Sequence, residues 1–130
     1  VKRSDVYIIY NESNGNRNKV VKLKGYMFEK NGHWFTVRHR DLGIPNDSRY
    51  KKWIISDFVT GLIMTSTDNR LDDVPDALPE AMICKLFEMY LAQYDWLEEY
   101  AQMINEAMYM DNPENKLIDL LQEDAGELFR

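Results

Sequence analysis

Residues 80–110 contain neither glycine nor proline, and the rest of the chain must be arranged around that stretch. As one helix rising about 1.5 Å per residue it would be ~46 Å long. Its apolar residues fall into two adjacent rows at heptad spacing. The first is Ile83, Phe87, Tyr90, Tyr94, Leu97, Ala101, Ile104 and Met108; beside it run Met82, Leu86, Met89, Trp96, Tyr100, Met103, Ala107 and Met110, with Gln93 the one polar interruption. A face that wide needs two neighbours. A sheet can cover one row, while the other needs a further helix or a second copy of the chain. Met89, Trp96, Tyr100 and Met103 are therefore the expected core or homodimer contacts. Pro79 suits a first helical turn, and Asn112 with Pro113 ends the helix and starts a shorter one over 114–123, with Leu117, Ile118, Leu120 and Leu121 as its apolar face.

Upstream of residue 67 the pattern has the two-residue period of strands. Residues 6–10 are β-branched or aromatic and are followed by asparagine-rich turn chemistry. Residues 20–30 and 33–40 flank Asn31 and Gly32, a pair that tolerates positive φ and suits a two-residue type I′ hairpin. That turn pairs Phe28 with Phe35, Tyr26 with Val37, Met27 with Thr36 and Leu23 with Arg40. The hairpin then has an aromatic face and an opposite face of Trp34, Thr36, Arg38 and Arg40, expected to be solvated or to bind a partner. Residues 52–57 and 62–67 read as two more strands joined around Thr60 and Gly61. The expected fold is α+β: an N-terminal antiparallel sheet of about five short strands, one long amphipathic helix and a shorter C-terminal helix. Residues 67–79, punctuated by Pro75 and Pro79, separate a sheet half (1–67) from a helical half (79–130) within a single domain spanning 1–130.

Composition adds a polarity. Of 130 residues, 45% are hydrophobic and the net charge is −6, which is ordinary for one globular domain. Residues 1–66 carry twelve Lys and Arg against six Asp and Glu, whereas residues 67–130 carry four against sixteen. Opposite poles of this kind steer partners or attract each other within the fold. Cys84 is the single cysteine; it reads as a small core residue, and with no disulfide to make it favours a reducing, cytoplasmic compartment. The apolar run 6–10 is too short for a signal-peptide core or a membrane span, so no membrane association is expected.

Residues 39–46 spell His-Arg-Asp-Leu-Gly-Ile-Pro-Asn, the pattern of a protein-kinase catalytic loop. Asp57 and Phe58 follow, with Val59 where the metal-binding Asp-Phe-Gly would end. By that analogy Asp41 is a base, and Asn46 and Asp57 are metal ligands. Phosphoryl transfer also needs a glycine-rich loop and a strand lysine paired to a helix glutamate, and the 38 residues before His39 contain neither. The string is read as a chance match and no enzyme is expected. His33 and His39 read as a turn and a strand-end histidine, with too few companions for a metal site; no cofactor is expected.

Two charged surfaces remain. Asp72, Asp73 and Asp76, with Glu88, Asp95, Glu99 and Glu106 on the long helix, form an acidic ridge that would offer carboxylates where phosphates sit in a nucleic-acid enzyme. Trp34, Arg38, Arg40 and Lys52 form the alternative, a basic and aromatic face for nucleic acid. Trp53, Ile54 and Ile55, then Thr60, Gly61, Leu62 and Ile63 ahead of a long helix, resemble the layout of small phage and mobile-element proteins, among them anti-CRISPR inhibitors. That resemblance implies a protein that binds and blocks a host nuclease; it assigns no residue roles. The expected function is non-enzymatic: binding of a protein target, with nucleic-acid binding as the alternative.

Overall fold

A computed structural model describes residues 1–11, 18–42 and 49–111. The C-terminal helix expected over 114–123 lies outside the described residues. Five strands, β1 (Lys2–Asn11), β2 (Asn18–Lys30), β3 (His33–His39), β4 (Trp53–Asp57) and β5 (Ile63–Thr67), form one antiparallel sheet in sequence order. A 3-10 turn (Leu71–Ala77) leads to two helices, α1 (Glu80–Ala92) and α2 (Tyr94–Asp111). This is the expected α+β fold, and no helix among the described residues is long and apolar enough to cross a membrane.

The β2–β3 hairpin turns on Asn31 (φ 54°) and Gly32 (φ 76°), the two positive φ values that a type I′ turn requires. Its register is the one read from the sequence: Phe28 opposes Phe35, their rings stacked with centroids 5.5 Å apart, and Tyr26 opposes Val37. The ladder stops there. Leu23 pairs with Val6 of β1, and the Arg40 amide donates to the Lys52 carbonyl, so the expected Leu23–Arg40 pair does not form.

The cause is a close approach at Gly25. A Cβ there would stand 2.4 Å from the Val37 carbonyl oxygen and 2.5 Å from Val6 Cγ2, so β1 and β3 close over a position only glycine can occupy. The sheet curls. By the register, Val6, Ile8, Met27, Thr36, Arg38, Ile54 and Ser56 share one face, and all seven are buried. Of the face expected to be solvated, Thr36 and Arg38 are therefore interior, whereas Trp34 and Arg40 are half-buried. Thr36 and Arg38 retain 2% and 3% of their surface, and Trp34 packs against the cluster that holds Met27, Phe58 and Ile104. Alternation assigns residues to faces, whereas whether a face meets water depends on curvature that alternation does not encode.

The helices cover the other face. Phe28, Phe35, Val37 and Ile55 meet Val74 and Leu78 of the 3-10 segment and Ile83, Leu86 and Tyr90 of α1. Further along, Tyr7 and Ile9 meet Ala101, Ile104 and Met108 of α2. One straight helix cannot follow both parts of a curved surface, and the expected continuous helix is broken at Gln93 (φ −132°, ψ 40°), its one polar interruption. The break is bridged: Gln93 N–H donates to Met89 O at 2.9 Å, and Leu97 N–H to Gln93 O at 3.1 Å. Of the first apolar row Ile83, Tyr90, Leu97, Ala101, Ile104 and Met108 are buried, while Tyr94 at the break is exposed. Cys84, expected in the core, lies on the exposed side of α1.

The two charge poles meet within the fold. Lys22 of β2 pairs with Asp111 at 3.2 Å, and the Asp111 carboxylate also accepts the Tyr7 hydroxyl at 2.7 Å. The Lys30 ammonium donates to the Pro75 and Leu78 carbonyls at 2.7 and 2.6 Å, satisfying the end of the 3-10 segment.

Candidate functional site

Three places in the fold concentrate polar or exposed apolar chemistry. The first is the elbow between α1 and α2. Residues 91–96 are all exposed, with Leu91 at 64% and Trp96 at 42%. The Trp96 ring is held edge-on against Tyr100, centroids 4.7 Å apart. At the break Tyr94 of the first row is exposed as well, beside Trp96 of the second row and Leu91, which belongs to neither. Of the expected dimer or core contacts, Met89 packs against the core, Tyr100 and Met103 are half-buried, and Trp96 faces solvent. The acidic residues expected to form a ridge, Asp72, Asp73, Asp76, Glu88, Asp95, Glu99 and Glu106, are all exposed. The first three belong to the 3-10 segment, whereas the other four flank the elbow along α1 and α2. No Lys, Arg or His lies between residues 86 and 115.

The second place is the end of the sheet where β3 leaves and β4 begins. The Arg40 guanidinium donates to the Tyr50 carbonyl at 3.1 Å. Arg49 lies over the Tyr50 ring at 4.8 Å and the Lys52 ammonium over the Trp53 indole at 5.4 Å. Of the expected nucleic-acid face, Arg40 and Lys52 are here, while Arg38 and Trp34 are held inside the fold and at the α2 side. Asp41 pairs loosely with His39 (3.6 Å) and Arg40 (3.7 Å). Asn46 of the kinase-like string lies outside the described residues.

The third is buried. Asp57, at the end of β4, is fully enclosed. One carboxylate oxygen contacts His33 Nε2 at 2.5 Å; the other accepts the Thr60 hydroxyl at 2.6 Å, the Thr60 amide at 3.2 Å and the Tyr90 hydroxyl. Burial by itself would push the Asp57 carboxyl up. The His33 hydrogen bond and charge, then the Thr60 and Tyr90 hydroxyls, outweigh it and hold the group below the ordinary carboxylate range. Tyr90 is pushed well up, first by burial and then by the Asp57 carboxylate. The metal-ligand role that the kinase analogy gave Asp57 is not how the residue is placed, because its oxygens are occupied by protein donors. Among the described residues no group of three or more His, Cys, Asp or Glu could hold a metal ion.

His33, a turn histidine by its place in the sequence, is a buried member of this network, edge-on to Phe35 and Phe87. Its partners Asp57 and Tyr90 are far away in sequence, and no local spacing signals them. The network ties β3, the β4–β5 turn and α1 together, and it has no exposed reactive group. It holds the helix that carries the elbow. Comparison of the chain with protein-family models, curated proteins and solved structures found no match.

Proposed function

We propose that the protein is a non-enzymatic interaction module that docks on a protein target through the elbow between α1 and α2. The observation that carries this is the run of exposed residues 91–96, with Leu91 and Trp96 among them, in a stretch of chain, 86–115, that holds no Lys, Arg or His. Tryptophan and other large apolar side chains dominate binding energy at the centre of interfaces, and exposed apolar clusters on small domains mark contact sites. Glu88, Asp95, Glu99 and Glu106 set the sign of the target, because complementary charge steers association and excludes like-charged surfaces. The target presents a cationic surface with an apolar recess. An enzyme that handles nucleic acid has such a surface, and occupying it with carboxylates would inhibit the enzyme by displacing phosphate.

The test is quantitative affinity capture with three tagged proteins: the unaltered chain, a Leu91→Ser/Trp96→Ala variant, and a Glu99→Lys/Glu106→Lys variant. Partners with basic surfaces should be enriched on the first and lost from both variants. A partner set that both variants retain would remove the elbow from the reading. Size-exclusion chromatography with light scattering separates the homodimer alternative, for which the chain would elute as a dimer that Leu91→Ser/Trp96→Ala dissociates.

A further inference from the structure

The β3–β4 end of the sheet gathers exposed cations and aromatic rings away from the elbow. Four cationic side chains, Arg40, Arg49, Lys51 and Lys52, are gathered there with two aromatic rings, Tyr50 and Trp53. The backbone beneath them is pinned: Lys51 N–H donates to Ser66 Oγ at 3.0 Å, Lys52 N–H to Asp68 Oδ1 at 3.0 Å, and Arg40 N–H to Lys52 O at 3.0 Å. The Trp53 ring makes T-shaped contacts with Tyr26 (5.9 Å, 86° between planes) and His39 (5.3 Å, 84°). Among the described residues, the carboxylates in contact with this patch are Asp41, loosely paired with His39 and Arg40, and Asp68, which accepts a backbone amide.

Arg49 and Lys51 and Lys52 are exposed, and Arg49 and Lys52 rest on the ring faces of Tyr50 and Trp53. A cation resting on an aromatic face marks a face that a flat ligand can take in its place. A nucleobase that takes the place of the cation stacks on the ring, and the displaced ammonium or guanidinium reaches the adjacent phosphate. Such stacking is favourable whatever the base, because every base has a π-face. Base-paired nucleic acid keeps its faces stacked internally and cannot use the rings in this way.

We propose that Arg40, Arg49, Tyr50, Lys51, Lys52 and Trp53 form a platform for single-stranded nucleic acid, with two bases stacked on Tyr50 and Trp53 and the cations on the flanking phosphates. The platform binds without base sequence preference.

The experiment is a fluorescence-anisotropy titration of the full chain with short labelled oligothymidine and oligouridine, and with a duplex of the same length. Four phosphate contacts on a single strand predict a slope of log K against log salt of about −3, so a fourfold rise in salt should weaken binding roughly 50-fold. Both single strands should bind more tightly than the duplex. Arg49→Glu/Lys52→Glu should abolish binding, and Tyr50→Ala, which keeps all four cations, should weaken it roughly tenfold or more. Leu91→Ser/Trp96→Ala should bind oligothymidine as the unaltered chain does. Absence of binding at low salt overturns the proposal. So does equal affinity for duplex and single strand, or an unchanged Tyr50→Ala, since either would mean generic anion attraction without stacking. Circular dichroism of each variant confirms that a loss of binding is not a loss of fold.

Discussion

Tyr90→Phe tests whether the Asp57 network anchors α1 to the sheet. The substitution keeps the ring in the core and removes one hydroxyl, which donates to the fully buried Asp57 carboxylate. A hydrogen bond to a charged partner contributes about 1.5–3 kcal/mol. The oxygen it leaves still accepts the Thr60 hydroxyl at 2.6 Å and amide at 3.2 Å, so the carboxylate is not stranded and the loss should be about 2 kcal/mol. At roughly 3–5 °C per kcal/mol for a chain of this size, the unfolding midpoint falls by about 6–10 °C. Asp57→Ala strands the His33, Thr60 and Tyr90 donors together and should cost about 3–5 kcal/mol. Because Tyr90 and Thr60 share one acceptor oxygen, Tyr90→Phe and Thr60→Val should couple by about 0.5–1 kcal/mol in a double-mutant cycle. Urea unfolding followed by tryptophan emission measures each loss, provided the slope with denaturant is unchanged. A Tyr90→Phe loss below about 0.5 kcal/mol, with no coupling to Thr60, would refute the anchoring role.

The same network gives stability a pH dependence with a defined sign. The folded Asp57 carboxyl titrates below its unfolded counterpart, so its contribution is complete at neutral pH and lost as pH falls through the acid end of the carboxylate range; acid unfolding of Asp57→Asn should lack that component. Tyr90 titrates above its unfolded counterpart, so a second loss, absent from Tyr90→Phe, should begin as pH rises beyond about 10. Gly25→Ala forces a methyl against the Val37 carbonyl oxygen and should destabilise by about 3 kcal/mol or more, the upper end for overpacking, read as a shift in the urea midpoint. Ile104→Ala empties the contact between α2 and the β1 end of the sheet and should cost about 2–5 kcal/mol, with protection from amide exchange lost first in α2.

Much of the fold was legible because it is written in short-range periodicity. Asn31 and Gly32 set the hairpin register, and the first apolar row became the helix face that is buried. The unequal sharing of charge foretold contacts such as Lys22 with Asp111. At the candidate sites the sequence marked the carboxylates that are exposed, but it read Trp96 as a core or dimer contact and grouped the buried Arg38 with Arg40 and Lys52. Tertiary structure alone decided the rest. Curling at Gly25 turned Thr36 and Arg38 from a surface into an interior, and following that curvature broke a helix that has no glycine or proline at Gln93. At that break Tyr94 of the first row lies exposed. The His33, Asp57 and Tyr90 network joins residues 24 and 33 positions apart. Side-chain alternation and heptad spacing report which residues share a face, because both arise from backbone geometry a few residues long. What covers that face, and which distant polar groups meet beneath it, depends on the curvature of the whole sheet.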